Sequence, residues 1–183
     1  ASLTAPNGQA QQGVLGAALA DAEQAPAWVS ALEAHGTGTA LGDPIEASAM
    51  AAVFDRGCGG APLAAGSLKA NSGHTEPGAG LAGLLTLLAQ LRASAAAPNA
   101  QLRVLNPHVG ESIRRRMVCV LSVQLGVVLR ATGSVSSFGY SGTIAHAVLQ
   151  TGTGAPLADT QAAPPTPLVW RRGAFPWGKA SAR

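Results

Sequence analysis

The chain has 183 residues, 47% of them hydrophobic, enough for a buried core and a better fit to one domain than to two. Only 11% of residues are charged and 4% aromatic, so packing rests on small side chains drawn together in tight helix and sheet layers. The net charge of +3 comes chiefly from Arg114, Arg115 and Arg116 and from Arg171, Arg172, Lys179 and Arg183, clusters that lack the aromatic-interleaved basic stripe of a nucleic-acid binder and read as solvated surface.

Residues Val14 to Ala22 carry alanine and leucine at helical spacing, and Pro26 closes the connection to a short apolar run, Trp28 to Ala34, that reads as a buried strand. After a glycine turn, Asp43-Pro44-Ile45-Glu46 supplies an N-cap, a proline at the first helical position and a carboxylate at the third. A capping box of this kind predicts a helix running to about Phe54. The pattern then repeats, with a strand over Pro62 to Leu68, a polar loop over Lys69 to Gly78 and a helix over Gly80 to Arg92 that is apolar all round and expected to be buried. Successive strand, loop and helix units argue for an α/β architecture. Beyond the turn residues of Ala97 to Gly110, the apolar stretches Met117 to Leu129 and Ile144 to Leu149 flank a glycine and serine loop and read as paired strands. From Thr151 the composition shifts to Gly, Ala, Thr and Pro, so the expected organisation is a domain over 1–150 and a Pro-rich linker or tail over 151–183.

Cys58 and Cys119 lie far apart with no CxxC spacing, which argues against a zinc site or a disulfide framework and for a reducing compartment. The apolar run Gly80 to Leu91 is too short to span a bilayer and no export segment is present, so a soluble intracellular protein is expected. The chain opens Ala1-Ser2-Leu3 without methionine, which leads us to expect that something upstream was removed or lies on another chain.

Three stretches could carry chemistry. In His35-Gly36-Thr37-Gly38-Thr39 a histidine follows a predicted strand and precedes a helix, where ligands gather in open α/β sheets. Its glycines permit close approach and its threonines offer hydroxyls. The ring can donate to developing negative charge or shuttle a proton, or it can simply cap a tight turn. The glycine spacing is one residue longer than a dinucleotide fingerprint and no Gly-Lys-Thr or Gly-Lys-Ser follows, which disfavours nucleotide binding. In Lys69-Ala70-Asn71-Ser72-Gly73-His74-Thr75-Glu76 a cation and a second histidine occupy the equivalent loop of the next unit. If the two strands are adjacent, both rings can enter one pocket with Lys69 near enough to bias their charge; otherwise Lys69 is a surface cation and His74 an ordinary loop residue. In Ser136-Ser137-Phe138-Gly139-Tyr140-Ser141-Gly142-Thr143, small residues around two aromatics suit either an ordinary hairpin or a turn presenting oxyanion-hole donors. No nucleophile of comparable quality accompanies them: Cys58 sits in a glycine turn without a base, and Cys119 lies in an apolar run.

Together, and in this order, these motifs resemble the β-ketoacyl synthase family of the thiolase superfamily, in the form of ketosynthase domains of modular polyketide synthases. The resemblance runs over Leu3-Thr4-Ala5-Pro6-Asn7-Gly8 with Gln11, Glu33 to Thr39, Gly42 to Glu46, Lys69 with Gly73-His74, and Ser137 to Thr143 with His146, covering the span to Gln150. It implies an α/β fold, the C-terminal half of a thiolase-like structure with a mixed sheet packed between helices. It implies decarboxylative condensation of an acyl thioester with a malonyl-type extender, in polyketide or fatty-acid biosynthesis. By the same resemblance His35 and His74 would stabilise the enolate with Lys69 tuning them, Thr37 and Thr39 would bind the pantetheine arm, Tyr140 would be the gatekeeper with an oxyanion-hole N–H, and Glu46 would give structural support. No cofactor is expected on this chain itself, since the substrate rides on the phosphopantetheine of an acyl carrier protein. The expected partners are that carrier protein, the N-terminal ketosynthase half holding the catalytic cysteine, and a second copy in a homodimer, with no nucleic acid. Ile144 stands where the family has asparagine, and Tyr140 where it usually has phenylalanine. The isolated chain is expected to be inactive and poorly stable; the alternative is a ketosynthase-derived structural or interaction subunit, and a weaker one is another acyl-transferring member of the superfamily.

Overall fold

The computed structural model describes residues 5–55, 61–100, 102–114 and 116–152. The expected linker beyond residue 152 and Cys58 lie outside the described residues. The chain forms helices α1 (Gly8–Asp21), α2 (Gly42–Val53), α3 (Lys69–Ser72), α4 (Ala79–Ala93) and α5 (Pro107–Arg114). Its strands are β1 (Ala31–Glu33), β2 (Leu63–Gly66), β3 (Ala95–Ala96), β4 (Cys119–Leu121), β5 (Gly126–Val127), β6 (Thr132–Phe138) and β7 (Ile144–Gln150).

Five strands form one mixed sheet in the order β4-β2-β1-β6-β7; β3 and β5 make a separate antiparallel pair. Within the large sheet β4, β2, β1 and β6 run parallel and β7 is antiparallel to β6. A parallel centre is covered on both faces, and residues of β1 accordingly alternate between two cores. Leu32 joins Leu15, Leu19, Met50, Phe54 and Leu63 on the side of α1 and α2, whereas Ala31 joins Leu87, Leu91 and Val135 on the side of α4. This is the expected mixed sheet between helices.

Several local expectations are corrected. α1 starts six residues before Val14, because the Asn7 side chain accepts from Ala10 N–H and caps a first turn that has no apolar periodicity. The run from Trp28 is a strand only from Ala31; Pro26–Trp28 is a 3-10 turn, as a proline at its first position favours. The polar loop Lys69 to Gly78 contains the single helical turn α3 and a 3-10 turn at Glu76–Gly78. Strand β7 pairs with β6, a segment of Thr, Gly, Ser and Val, and not with Met117 to Leu129, which instead supplies β4 and β5. The α4 helix is not buried all round: Leu81 and Leu85 are 63% and 58% exposed on the face turned away from the sheet.

Close packing fixes small residues at the sheet centre. A Cβ on Gly133 would lie 2.8 Å from Leu87 Cδ1 and 3.1 Å from the Ala31 carbonyl oxygen, and the latter cannot move without disturbing β1. In a ketosynthase carrying this chain, Gly133→Ala is expected to destabilise by about 1–3 kcal/mol. Truncating the fully buried Phe54 to alanine is expected to cost about 3–5 kcal/mol. Denaturant midpoints test both, and unchanged midpoints would contradict this packing.

Candidate active site

Strands β1 and β2 are parallel neighbours, with Glu33 opposite Gly66, so the loops leaving their carboxyl ends start side by side. The first loop carries His35 and the second carries Lys69 and His74. The two imidazole rings meet edge to face with centroids 5.9 Å apart. Phe138, at the end of β6 on the other flank of β1, places its ring 5.4 Å from that of His35.

The loop after β1 needs its first glycine. Gly36 has φ of +43°, and a Cβ there would sit 2.8 Å from Ser67 Cβ. The space is used instead by a contact between loops, in which the Ser67 hydroxyl donates to the Gly36 carbonyl. Below the loop, the buried carboxylate of Glu46 accepts the N–H groups of His35 at 2.7 Å and Gly36 at 2.9 Å. This corrects the capping box: Glu46 reaches the preceding loop rather than its own helix start. Asp43, in the first turn and not at the N-cap, accepts from Gly38 and Thr39 N–H. The Thr39 hydroxyl takes the Gly42 N–H, which closes the helix start.

Each histidine is oriented by a backbone donor. Phe138 N–H donates to His35 Nδ1 at 3.3 Å, and Glu76 N–H donates to His74 Nδ1 at 3.1 Å. Glu76 itself has φ of +45°, a left-handed conformation uncommon outside glycine. With Nδ1 accepting, the proton of each ring is on Nε2, so the pair presents two Nε2–H donors. Burial, helped by the neighbouring Lys69 and His74, pushes His35 down to about 4, which keeps it neutral at pH 7. Lys69 is also lowered by burial, while Glu33 and Glu46 oppose the shift. Burial raises the Glu46 carboxyl against the pull of its two N–H donors, and raises Asp43 likewise. Ring N–H donors beside a half-buried cation and buried carboxyls can stabilise negative charge developing on a ligand oxygen.

The structure thus brings His35, His74 and Lys69 to one end of the sheet, with Thr37 and Thr39 on the same loop as His35 and Glu46 beneath it. Tyr140 lies in the turn between β6 and β7, its side chain 82% exposed. That turn is closed by bonds from Gly139 N–H to the Thr143 carbonyl and from Gly142 N–H to the Gly139 carbonyl, and Ile144 pairs with Phe138. His146 lies further along β7 on the Phe54 side of the sheet: its Nδ1 bonds the Ser136 hydroxyl at 3.0 Å, Phe54 is its ring neighbour, and burial lowers it to about 4. Sequence reasoning missed the Phe138 amide, Glu33 and Asn99. Glu33 is buried at the end of β1 and accepts Leu68 N–H at 2.6 Å; burial raises its carboxyl to about 7 against that bond and the Lys69 charge. Asn99 accepts from Ser67 N–H and donates to the Ala65 and Ser122 carbonyls, pinning the base of the lysine loop. An asparagine beside Pro98 reads as turn chemistry, which hid that role. Among the described residues, no group of three or more His, Cys, Asp or Glu is placed to hold a metal ion, and no helix is long and apolar enough to cross a membrane.

Comparison with known proteins shows what the chain is similar to. The family described as beta-ketoacyl synthase, C-terminal domain, matches residues 1–103. A spectinabilin polyketide synthase system protein of Streptomyces orinoci is 44% identical over 92% of this chain and 5% of its own length. The mycoketide-CoA synthase of Mycobacterium tuberculosis is 44% identical over 81% of this chain and 4% of its own. Among solved structures, an oxazolomycin ketosynthase domain of Streptomyces albus superposes with a TM-score of 0.77 at 33% identity, covering 85% of this chain and 28% of that one. Ketosynthase twelve of the bacillaene polyketide synthase of Bacillus amyloliquefaciens superposes with a TM-score of 0.72 at 32% identity and the same coverage. The chain therefore spans a small fraction of the curated relatives and just over a quarter of these ketosynthase chains.

The lowered His35 has a sign for stability. Unfolding restores the ring to its ordinary value of 6.5, so the unfolded chain binds the extra proton and His35 removes stability as pH falls from about 6.5 towards 4. Glu33 acts oppositely, binding a proton in the folded state between about 7 and 4.5. Nitrogen-15 NMR of the His35 ring at pH 7 is expected to show the neutral Nε2–H tautomer, with protonation only as pH approaches 4. An imidazolium at pH 6 would contradict the hydrogen bond from Phe138.

Proposed function

The chain belongs to the β-ketoacyl synthase family, whose C-terminal domain it matches, and from that premise we propose that it supplies the decarboxylating side of a polyketide ketosynthase site. The observation that carries this reading is the pair of Nε2–H donors, each fixed by a backbone N–H on its own Nδ1, at one end of the sheet. A malonyl-type thioester that enters on the phosphopantetheine of an acyl carrier protein would set its carbonyl oxygen between them. The bond to the carboxylate then breaks, carbon dioxide leaves, and the electron pair passes into the enolate whose oxygen the two rings hold. The α-carbon of that enolate attacks an acyl thioester, and the sulfur departs as thiolate.

The nucleophilic cysteine is assigned to the remainder of a complete ketosynthase. The exposed Leu81 and Leu85 of α4 offer an apolar face for that remainder to cover. On this reading the isolated chain does not condense substrates and is poorly stable, and the complete domain works as a homodimer. Lys69 biases the charge of both rings, and Thr37 and the outward proton of Thr39 hold the pantetheine arm. Tyr140 is the gatekeeper, with its N–H donating to the tetrahedral oxyanion. The alternative, a structural subunit without condensing activity, draws on Ile144, whose apolar side chain replaces an amide where β7 leaves the gatekeeper turn.

Within a complete ketosynthase carrying this chain, His35→Ala and His74→Ala are each expected to slow carbon dioxide release from a carrier-bound malonyl extender by about 10²–10⁴-fold. Acylation of the cysteine should persist. Unchanged decarboxylation in both variants, or absence of any decarboxylation in the parent protein, would favour the structural subunit. Thr37→Val is expected to raise KM for the carrier-bound extender with little change in kcat, measured under steady-state conditions.

A further inference from the structure

Glu33 carries a carboxyl that none of these roles uses, in a position where a charge is hard to place. It ends β1 after Ala31 and Leu32, is 3% exposed, and turns towards α4. That helix approaches so closely that a Cβ on Gly83 would lie 3.1 Å from Glu33 Cγ and 3.6 Å from Oε1. A carboxyl without a task would destabilise the fold in such surroundings. Its partner shows the task. Oε1 accepts the N–H of Leu68, the N-cap of the helical turn whose first residue is Lys69.

We propose that Glu33 is a positioning residue for Lys69: it anchors the turn from which the lysine departs and supplies negative charge against which the ammonium is held near His35 and His74. The inference rests on the condensation reading above. Lys69 interacts electrostatically with Glu33 and Glu46, and His35 in turn with Lys69 and His74. The charged groups that act on Glu33 are Lys69 and Glu46, and on α4 the residue packed against it is Gly83. With its carboxyl raised to about 7, Glu33 gains its charge as pH rises through neutrality, favoured by Lys69 and the Leu68 N–H. A pH limb near 7 in the decarboxylation rate follows.

The test uses the complete ketosynthase carrying this chain, with E33Q, E33D, K69M and the E33Q/K69M double variant. Carbon dioxide release from malonyl carrier protein is expected to fall roughly tenfold in E33Q, with cysteine acylation unchanged, the limb near pH 7 lost and activity partly restored in E33D. In the K69M background E33Q should add less than about twofold, since the two residues act as a unit. Lys69 titration, followed by carbon-13 NMR of methylated lysines, should move to lower pH in E33Q when its negative partner is gone. An unmoved Lys69 titration, a retained pH limb, or a full additional loss in the double variant would overturn the proposal. If E33Q does not fold, K69M reports the coupling from the other side: the Glu33 carboxyl should titrate at higher pH than in the parent, and no shift would overturn the proposal. If the parent releases no carbon dioxide, the condensation reading fails while the Lys69 titration still decides the role of Glu33.

Discussion

Parallel pairing of β1 with β2 is the constraint from which the site follows. Because the strands run the same way with Glu33 opposite Gly66, the loops that leave them must begin at the same edge of the sheet. Each loop carries a histidine, so rings from residues 35 and 74 come within 5.9 Å although 39 positions separate them in the chain. The third contribution comes from β6, also parallel to β1, whose end brings the Phe138 amide to His35. Slipping any of these strands by one residue would turn every side chain to the opposite face and dissolve the arrangement.

Around that edge, backbone groups do most of the orienting. Two amides fix the histidine tautomers, and two buried glutamates each hold a loop by its N–H groups: Glu46 under His35 and Gly36, Glu33 under Leu68. Buried carboxyls near a neutral His35 and a half-buried lysine form a site whose charge is set by burial as much as by nearby charges. Such preorganised dipoles need not rearrange when charge develops on a ligand.

Much of this was legible in the sequence where residue type and spacing coincide. Pro44 and the run that follows it mark α2, the alanine and leucine run marks α4, and two histidine loops after two strands predict a shared pocket. The start of α1 was hidden because Gly8 to Gly13 has no apolar period, its cap being the Asn7 side chain. Strand β6 was hidden for a related reason: it is buried through small and hydroxylated residues, while the more apolar stretch from Met117 to Leu129 draws the eye to the sheet edge. Backbone donors carry no residue-type signal, so the Phe138 amide could not be read in advance. Glu33 looks in sequence like the polar end of a strand, and only the approach of Gly83 reveals that it is enclosed.

The measurement that bears most directly on the central claim is a structure of the complete ketosynthase carrying this chain with a non-decarboxylating extender thioester mimic attached through phosphopantetheine. The account predicts the thioester carbonyl oxygen, or its isostere, within hydrogen-bonding distance of both His35 Nε2 and His74 Nε2, with the arm passing Thr37 and Thr39. A mimic bound with that oxygen directed away from both rings would contradict it.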